Sequence, residues 1–200
     1  MGKKALSKRD IWQDYSGKNA SKAESVFFTT FKEEFKNTDY SIISKPQNFQ
    51  KIYVNINLDN QTLNEIYSPK ESINRHGIFP DYCLKNNKTN KILFVEVKRQ
   101  DGWVEGKKRS AGRGNAHERS CKFFTPGLLK ILRQEGKIFN ENALPFWTVF
   151  LGDITRDPCR VREIVCWYEG FEKHYFFWRD IENKKKVIDH FNLYLKPLLE

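Results

Sequence analysis

The stretch Pro80-Asp81-Tyr82-Cys83-Leu84, followed after a polar break at Asn86 to Asn90 by Lys91-Ile92-Leu93-Phe94-Val95-Glu96-Val97-Lys98, decides how this chain folds. The apolar run Ile92 to Val95, β-branched and aromatic and preceded by an Asn-rich turn, predicts a strand pair whose second strand is largely buried. Side chains alternate faces along a strand, so Glu96 and Lys98 share one side while Val95 and Val97 take the other. If Asp81 ends its strand beside them, two hard oxygen ligands and one cation converge, which is what a Mg²⁺-dependent phosphodiesterase requires. Glu-x-Lys recurs at Glu34, Glu105, Glu135 and Glu182, but only the copy at Glu96 closes an apolar strand, and only Pro80 among the seven prolines precedes an Asp. A cross-strand ion pair at a wet sheet edge is the competing reading of the same three residues.

Working outward, 200 residues suffice for one α/β domain with a sizeable core, so a single domain over 1–200 is expected. Hydrophobic content of 39% with 14% aromatic is globular, and 30% charged residues make a membrane-buried chain a poor fit. No apolar run reaches spanning length and the start Met1 to Arg9 lacks a signal-peptide core, so a cytoplasmic location is expected. The net charge of +10 favours a polyanionic partner, and half of that excess lies between Lys98 and Lys122. The four cysteines (83, 121, 159 and 166) form no Cys-x-x-Cys pair and read as reduced, mostly packed thiols. The histidines at 76, 117, 174 and 190 have no motif partner that would complete a hydrolase triad.

Residues 1–20 read equally as a basic arm that orders on nucleic acid or as a frayed terminus. Ser21 and Glu24 form a capping box ahead of Val26, Phe27, Phe31 and Phe35, predicting a helix to about Lys36. Glu24 is also a possible extra acidic ligand, but the cap accounts for it. Ile52 to Leu58 alternates like a half-buried strand, Asp59 caps a short helix through Ile66, and 68–79 is a loop. A Gly-rich, charged loop follows Lys98, and Asn115 is placed to cap a helix from Ala116 towards Phe124. A second helical stretch runs Leu128 to Glu135, closed by Gly136. Phe146 to Leu151 predicts a buried strand, Ile164 to Tyr168 and His174 to Trp178 a hairpin, and 183–199 an amphipathic helix. The whole is an α/β fold with a central mixed β-sheet flanked by helices.

Arg113-Gly114-Asn115-Ala116-His117-Glu118-Arg119 is the second informative stretch. Arg pairs bidentately with guanine and Asn with adenine in the major groove, and a helix N-terminus aimed there brings such residues to base edges. A capped surface helix is the plainer alternative.

Together, Pro80-Asp81 with Glu96-Val97-Lys98, and Gly114-Asn115-Ala116-x-Glu118-Arg119, resemble the EcoRI branch of the PD-(D/E)XK type II restriction endonucleases, most closely its CAATTG-reading members. The resemblance covers nearly the whole chain, including Gly152 to Pro158; His117 differs from the aliphatic residue of EcoRI itself, and Lys107-Lys108-Arg109 is unusually basic. It implies a homodimer acting on double-stranded palindromic DNA, with Asp81, Glu96 and the Val97 carbonyl holding Mg²⁺ and Lys98 activating water. By the same resemblance Asn115, Ala116, Glu118 and Arg119 read the inner AATT within the Gly114 motif, and Arg113 reads the outer C·G pair. Cleavage after C would leave 5′-AATT overhangs with 5′-phosphate ends, and a companion methyltransferase would protect the same site. A non-catalytic sequence-specific DNA-binding protein is the alternative function, and a nuclease for structured or damaged DNA is a third.

Overall fold

The computed structural model describes residues 23–54, 56–101 and 117–200. Five strands form one sheet in the order β1-β2-β3-β4-β5: β1 (Tyr40–Ser44), β2 (Tyr82–Asn86), β3 (Ile92–Arg99), β4 (Phe146–Leu151) and β5 (Tyr175–Trp178). β1, β2 and β3 pair antiparallel, whereas β3, β4 and β5 run parallel, so the sheet is mixed. The predicted strand pair is β2 and β3, in the register Tyr82 opposite Val95 and Leu84 opposite Leu93. A parallel pair needs a crossover, and helices supply both: α3 (Pro126–Gly136) between β3 and β4, and α4 (Pro158–Trp167) between β4 and β5.

Each sheet face carries its own core. On one face helix α1, whose described residues run 23–34, meets the C-terminal helices over Phe27, Phe31, Val95, Val97, Trp147 and Phe191. Phe31 sits within 5.4–5.9 Å, ring to ring, of Phe35, Trp147 and Phe191, and 4.7 Å from Phe27. On the other face α3, α4 and a 3-10 turn (Glu118–Phe124) cover Cys83, Phe94, Phe146 and Phe150. β4 is buried along its full length because helices cover both faces. The C-terminal helix begins as α5 (Lys184–His190), widens into a π-helical turn over Phe191–Leu195 and ends in a 3-10 turn over Lys196–Leu199.

Several expectations require correction. Ile52 to Leu58 forms no strand: 51–54 is a turn, 56–59 is irregular, and Val54, Ile56 and Leu58 are exposed. Alternation alone cannot make a strand without a neighbour to accept its hydrogen bonds, and β1, a short strand with no clear alternation, holds the sheet edge instead. Ile164 to Tyr168 is the end of helix α4 and its cap, not half of a hairpin. Asp157 caps that helix by accepting from the Cys159 and Arg160 amides, Pro158 starts it, and β5 then lies parallel to β4. Gly136 does not terminate α3; Lys137, with φ of 56°, is the left-handed cap. Gly136 serves close packing, since a Cβ there would come 2.5 Å from the Ile92 carbonyl oxygen. By contrast, Asp59 caps α2 (Asn60–Glu65) as expected, its carboxylate accepting from the Thr62 amide at 2.8 Å.

His174 anchors the segment that leads into β4. Its Nδ1 donates to the Phe146 carbonyl at 3.1 Å and its Nε2 accepts from the Leu144 amide at 3.2 Å, so the ring is satisfied only when neutral. Burial pushes its pKa from 6.5 down to about 4.

Two outcomes follow from this packing. Phe31→Ala should cost about 3–5 kcal/mol in urea unfolding, whereas Phe139→Ala, at 66% exposed, should stay within about 0.5 kcal/mol. Because the unfolded chain protonates His174 where the native state does not, stability should be full above pH 6.5 and fall by about 3 kcal/mol as pH drops towards 4. The His174 ring resonances should titrate near 4 in a native-state NMR series.

Candidate active site

Asp81 stands just ahead of β2, and Glu96 and Lys98 stand at the far end of β3. Because these strands are antiparallel, the start of one lies beside the end of the other, and the hairpin brings the three residues together. The Val97 amide donates to Asp81 Oδ2 at 2.8 Å, which fixes the aspartate against the catalytic strand's backbone. Lys98 Nζ lies 2.6 Å from Glu96 Oε1 and 3.6 Å from Asp81 Oδ2. The side chains of Asp81, Glu96 and Lys98 are 19%, 5% and 15% exposed, so this is not the wet edge pair of the plainer reading. Val95 and Val97 point into the opposite core, as the alternation requires.

The electrostatics are those of a site short of positive charge. Burial pushes the Glu96 carboxyl up, Lys98 pulls it back, and the Asp81 charge adds to the push, leaving it above the usual carboxylate value. Burial also opposes the charge on Lys98, but Glu96 and Asp81 outweigh it and hold the ammonium above the ordinary lysine value. Glu96 Oε2 is buried and has no hydrogen-bond partner among the protein groups. A buried, orphaned carboxylate oxygen is costly unless something cationic meets it. Two hard carboxylates at one strand end, one with a spare oxygen, fit a small divalent cation better than a soft metal. Among the described residues no group of three His, Cys, Asp or Glu side chains gathers as a metal cluster.

Glu24 on α1 was set aside in the sequence as a capping residue, and its cap partner Ser21 lies outside the described residues. The structure brings Glu24 within electrostatic reach of the site. Burial raises its pKa, the Asp81 charge raises it further, and Lys98 and Lys45 oppose. Periodicity of α1 carried no sign of this, because it depends on how the helix crosses the sheet.

Of the predicted recognition residues, Glu118 and Arg119 open the 3-10 turn and are exposed, free to meet a partner. Arg113, Gly114, Asn115 and Ala116 lie outside the described residues, as does the Asn115 cap. The helix expected from Ala116 towards Phe124 is, over its described residues, a 3-10 turn at Glu118–Phe124 with His117 at its N-cap. The turn after β4 closes on the exit of β3: the Gln100 amide donates to the Leu151 carbonyl at 3.2 Å and the Ile154 amide to the Gln100 carbonyl at 3.1 Å. Gly152 is required there, since its φ of 82° is left-handed and a Cβ would come 2.8 Å from the Gln100 carbonyl oxygen. Among the described residues no helix is long and apolar enough to cross a membrane.

This arrangement has close counterparts. A family model described as type II restriction enzyme MunI matches residues 1–200. The type II restriction enzyme MunI of Mycoplasma sp is 50% identical over 202 residues, covering 100% of both sequences. A crystal structure of MunI restriction endonuclease in complex with cognate DNA is similar with a TM-score of 0.81 at 49% identity, covering 94% of this chain and 97% of that one. With its mixed sheet, its buried carboxylate–lysine centre and a likeness running end to end, the chain belongs to the type II restriction enzyme MunI family.

Proposed function

We propose that the chain is a Mg²⁺-dependent restriction endonuclease that acts as a homodimer on palindromic CAATTG, cutting after C to leave 5′-AATT overhangs. The observation that carries the chemistry is the meeting of Asp81, Glu96 and Lys98 at one strand end, with the spare Glu96 oxygen buried beside them. A DNA partner is supported by the net charge of +10 and by the relative solved with cognate DNA. The reading of CAATTG rests on the match of Arg113 to Arg119 to that family's motif.

In this reading Asp81, Glu96 and the Val97 carbonyl hold Mg²⁺, which when bound supplies Lewis-acid polarisation of the phosphate and a more acidic water. The Val97 amide keeps Asp81 in place for that role. Lys98, held protonated by both carboxylates, orients the attacking water and stabilises charge developing on the scissile phosphate. Asn115, Ala116, Glu118 and Arg119, with Gly114 allowing close approach, read the inner AATT, and Arg113 reads the outer pair. A twofold dimer presents one such surface and one active centre to each half of a self-complementary site.

Asp81→Ala and Glu96→Ala should each abolish cleavage of a plasmid carrying CAATTG, while gel-shift binding in Ca²⁺ persists. Retained cleavage by either variant would remove that residue from the centre, and EDTA should stop the native enzyme. Arg113→Ala should lower discrimination at the outer pair by about 1–3 kcal/mol, seen as cleavage of sites differing only there. An equal loss on all sequences would make Arg113 a backbone contact. End mapping on a fully sequenced DNA tests the site and cut position together.

A further inference from the structure

His117 falls inside the recognition stretch, yet its side chain faces away from solvent and is fully buried. Its Nδ1 lies 3.1 Å from Gln100 Oε1, two residues beyond Lys98 on the chain leaving β3. Its Nε2 lies 3.1 Å from Glu163 Oε2 on α4. Arg160 grips the same carboxylate at 2.6 and 2.8 Å, so Glu163 is held from two sides. The ring stacks on Trp167, centroids 5.4 Å apart and planes 16° from parallel. The backbone is anchored as well: the His117 carbonyl accepts from the Ser120 hydroxyl at 2.7 Å and from the Ser120 amide at 3.2 Å, starting the turn that carries Glu118 and Arg119. Three elements therefore meet at one imidazole: the exit of the catalytic strand, the recognition turn and α4.

The Gln100 backbone is fixed: its amide donates to the last residue of β4 and its carbonyl accepts from the turn that follows, so the root of its side chain is held at the exit of β3. The amide group offers oxygen on one side and NH₂ on the other, so a hydrogen bond to Nδ1 is available to the ring in either protonation state. Burial holds the ring towards its neutral form, although the Glu163 hydrogen bond opposes this. Among the described residues, the His117–Gln100 contact is thus a short, buried link between the recognition turn and the strand bearing Glu96 and Lys98.

We infer that His117 is a positioning residue that joins base reading to cleavage by tying the recognition turn to the catalytic strand through Gln100. The inference rests on the nuclease reading above and adds to it the route by which a correct sequence is felt at the scissile bond. A purely structural ring would matter to folding alone. A positioning ring matters to the rate on bound DNA, because small misplacements of catalytic groups cost about a hundredfold.

The test uses the full chain, a CAATTG duplex and a duplex differing by one base pair. Single-turnover rate with Mg²⁺, Kd with Ca²⁺ and melting temperature are measured for His117→Leu, His117→Asn and His117→Gln. Leu keeps apolar contact with Trp167 but neither hydrogen bond; the Asn amide can stand where Nδ1 stands, and the Gln amide where Nε2 stands. The expected result is a rate loss of about 10- to 100-fold for Leu and Gln, with Kd changed less than about threefold, and recovery of most of the rate in Asn. The ratio of rates on the two duplexes should fall with the Leu variant. Gln100→Ala should lose as much as His117→Leu, and the double variant no more than either alone. Native rates and discrimination in the Leu variant, losses that track melting temperature across all three, or additive losses in the double variant would overturn the inference while leaving the nuclease reading intact. A native chain that cleaves no DNA would overturn both.

Discussion

The hydrogen bond from the Val97 amide to Asp81 Oδ2, 2.8 Å long, is the contact on which the rest of the site depends. It exists because β2 and β3 pair in one register, Tyr82 opposite Val95. A slip of one residue would turn Glu96 and Lys98 into the core and Val95 and Val97 towards the site. Val95 and Val97 are buried against Phe27, Phe31 and Trp147, so the apolar face enforces the register that the charged face needs. Chemistry and packing are thereby set by one alternation.

Two negative charges and one positive are held there with little solvent, an arrangement that costs stability unless each charge is met. Lys98 answers one Glu96 oxygen and approaches Asp81, while the second Glu96 oxygen remains unanswered by protein. The rigid surroundings keep that imbalance from relaxing. Both cores bear on β3, Gly136 lets α3 press against its start, and Gly152 lets the turn after β4 close on its end. The site is strained electrostatically because the strand that carries it has nowhere to go.

Some of this architecture was legible from residues alone and some was not. The hairpin, α1 and the Asp59 cap rest on patterns between near neighbours, β4 on its unbroken apolar run, and the structure contains each of them. Ile52 to Leu58 has the alternation of a strand but no neighbouring strand to pair with, and Ile164 to Tyr168 reads as a strand because its aromatic and β-branched residues mask a helix that starts at Asp157-Pro158. Gly136 looked like a helix stop and is a packing contact, because the carbonyl it makes room for belongs to β3, 44 residues earlier in the chain. Glu24 shows the same limit: its spacing from Ser21 suggests only a local cap, and nothing local indicates its reach to Asp81 and Lys98.

By itself the sequence determined which groups are available: two carboxylates and an amine at the ends of paired strands, an Arg- and Asn-bearing segment, and enough apolar residues for an α/β core. These are properties of alternation, capping and composition, which act over a few residues. Only the tertiary structure decided that Glu96 keeps an oxygen without a protein partner, that Glu24 joins the field of the site, and that His117 turns inward to hold Gln100 and Glu163. Those outcomes depend on how helices cross the sheet, and that crossing is set by the summed fit of distant side chains, which no local pattern encodes.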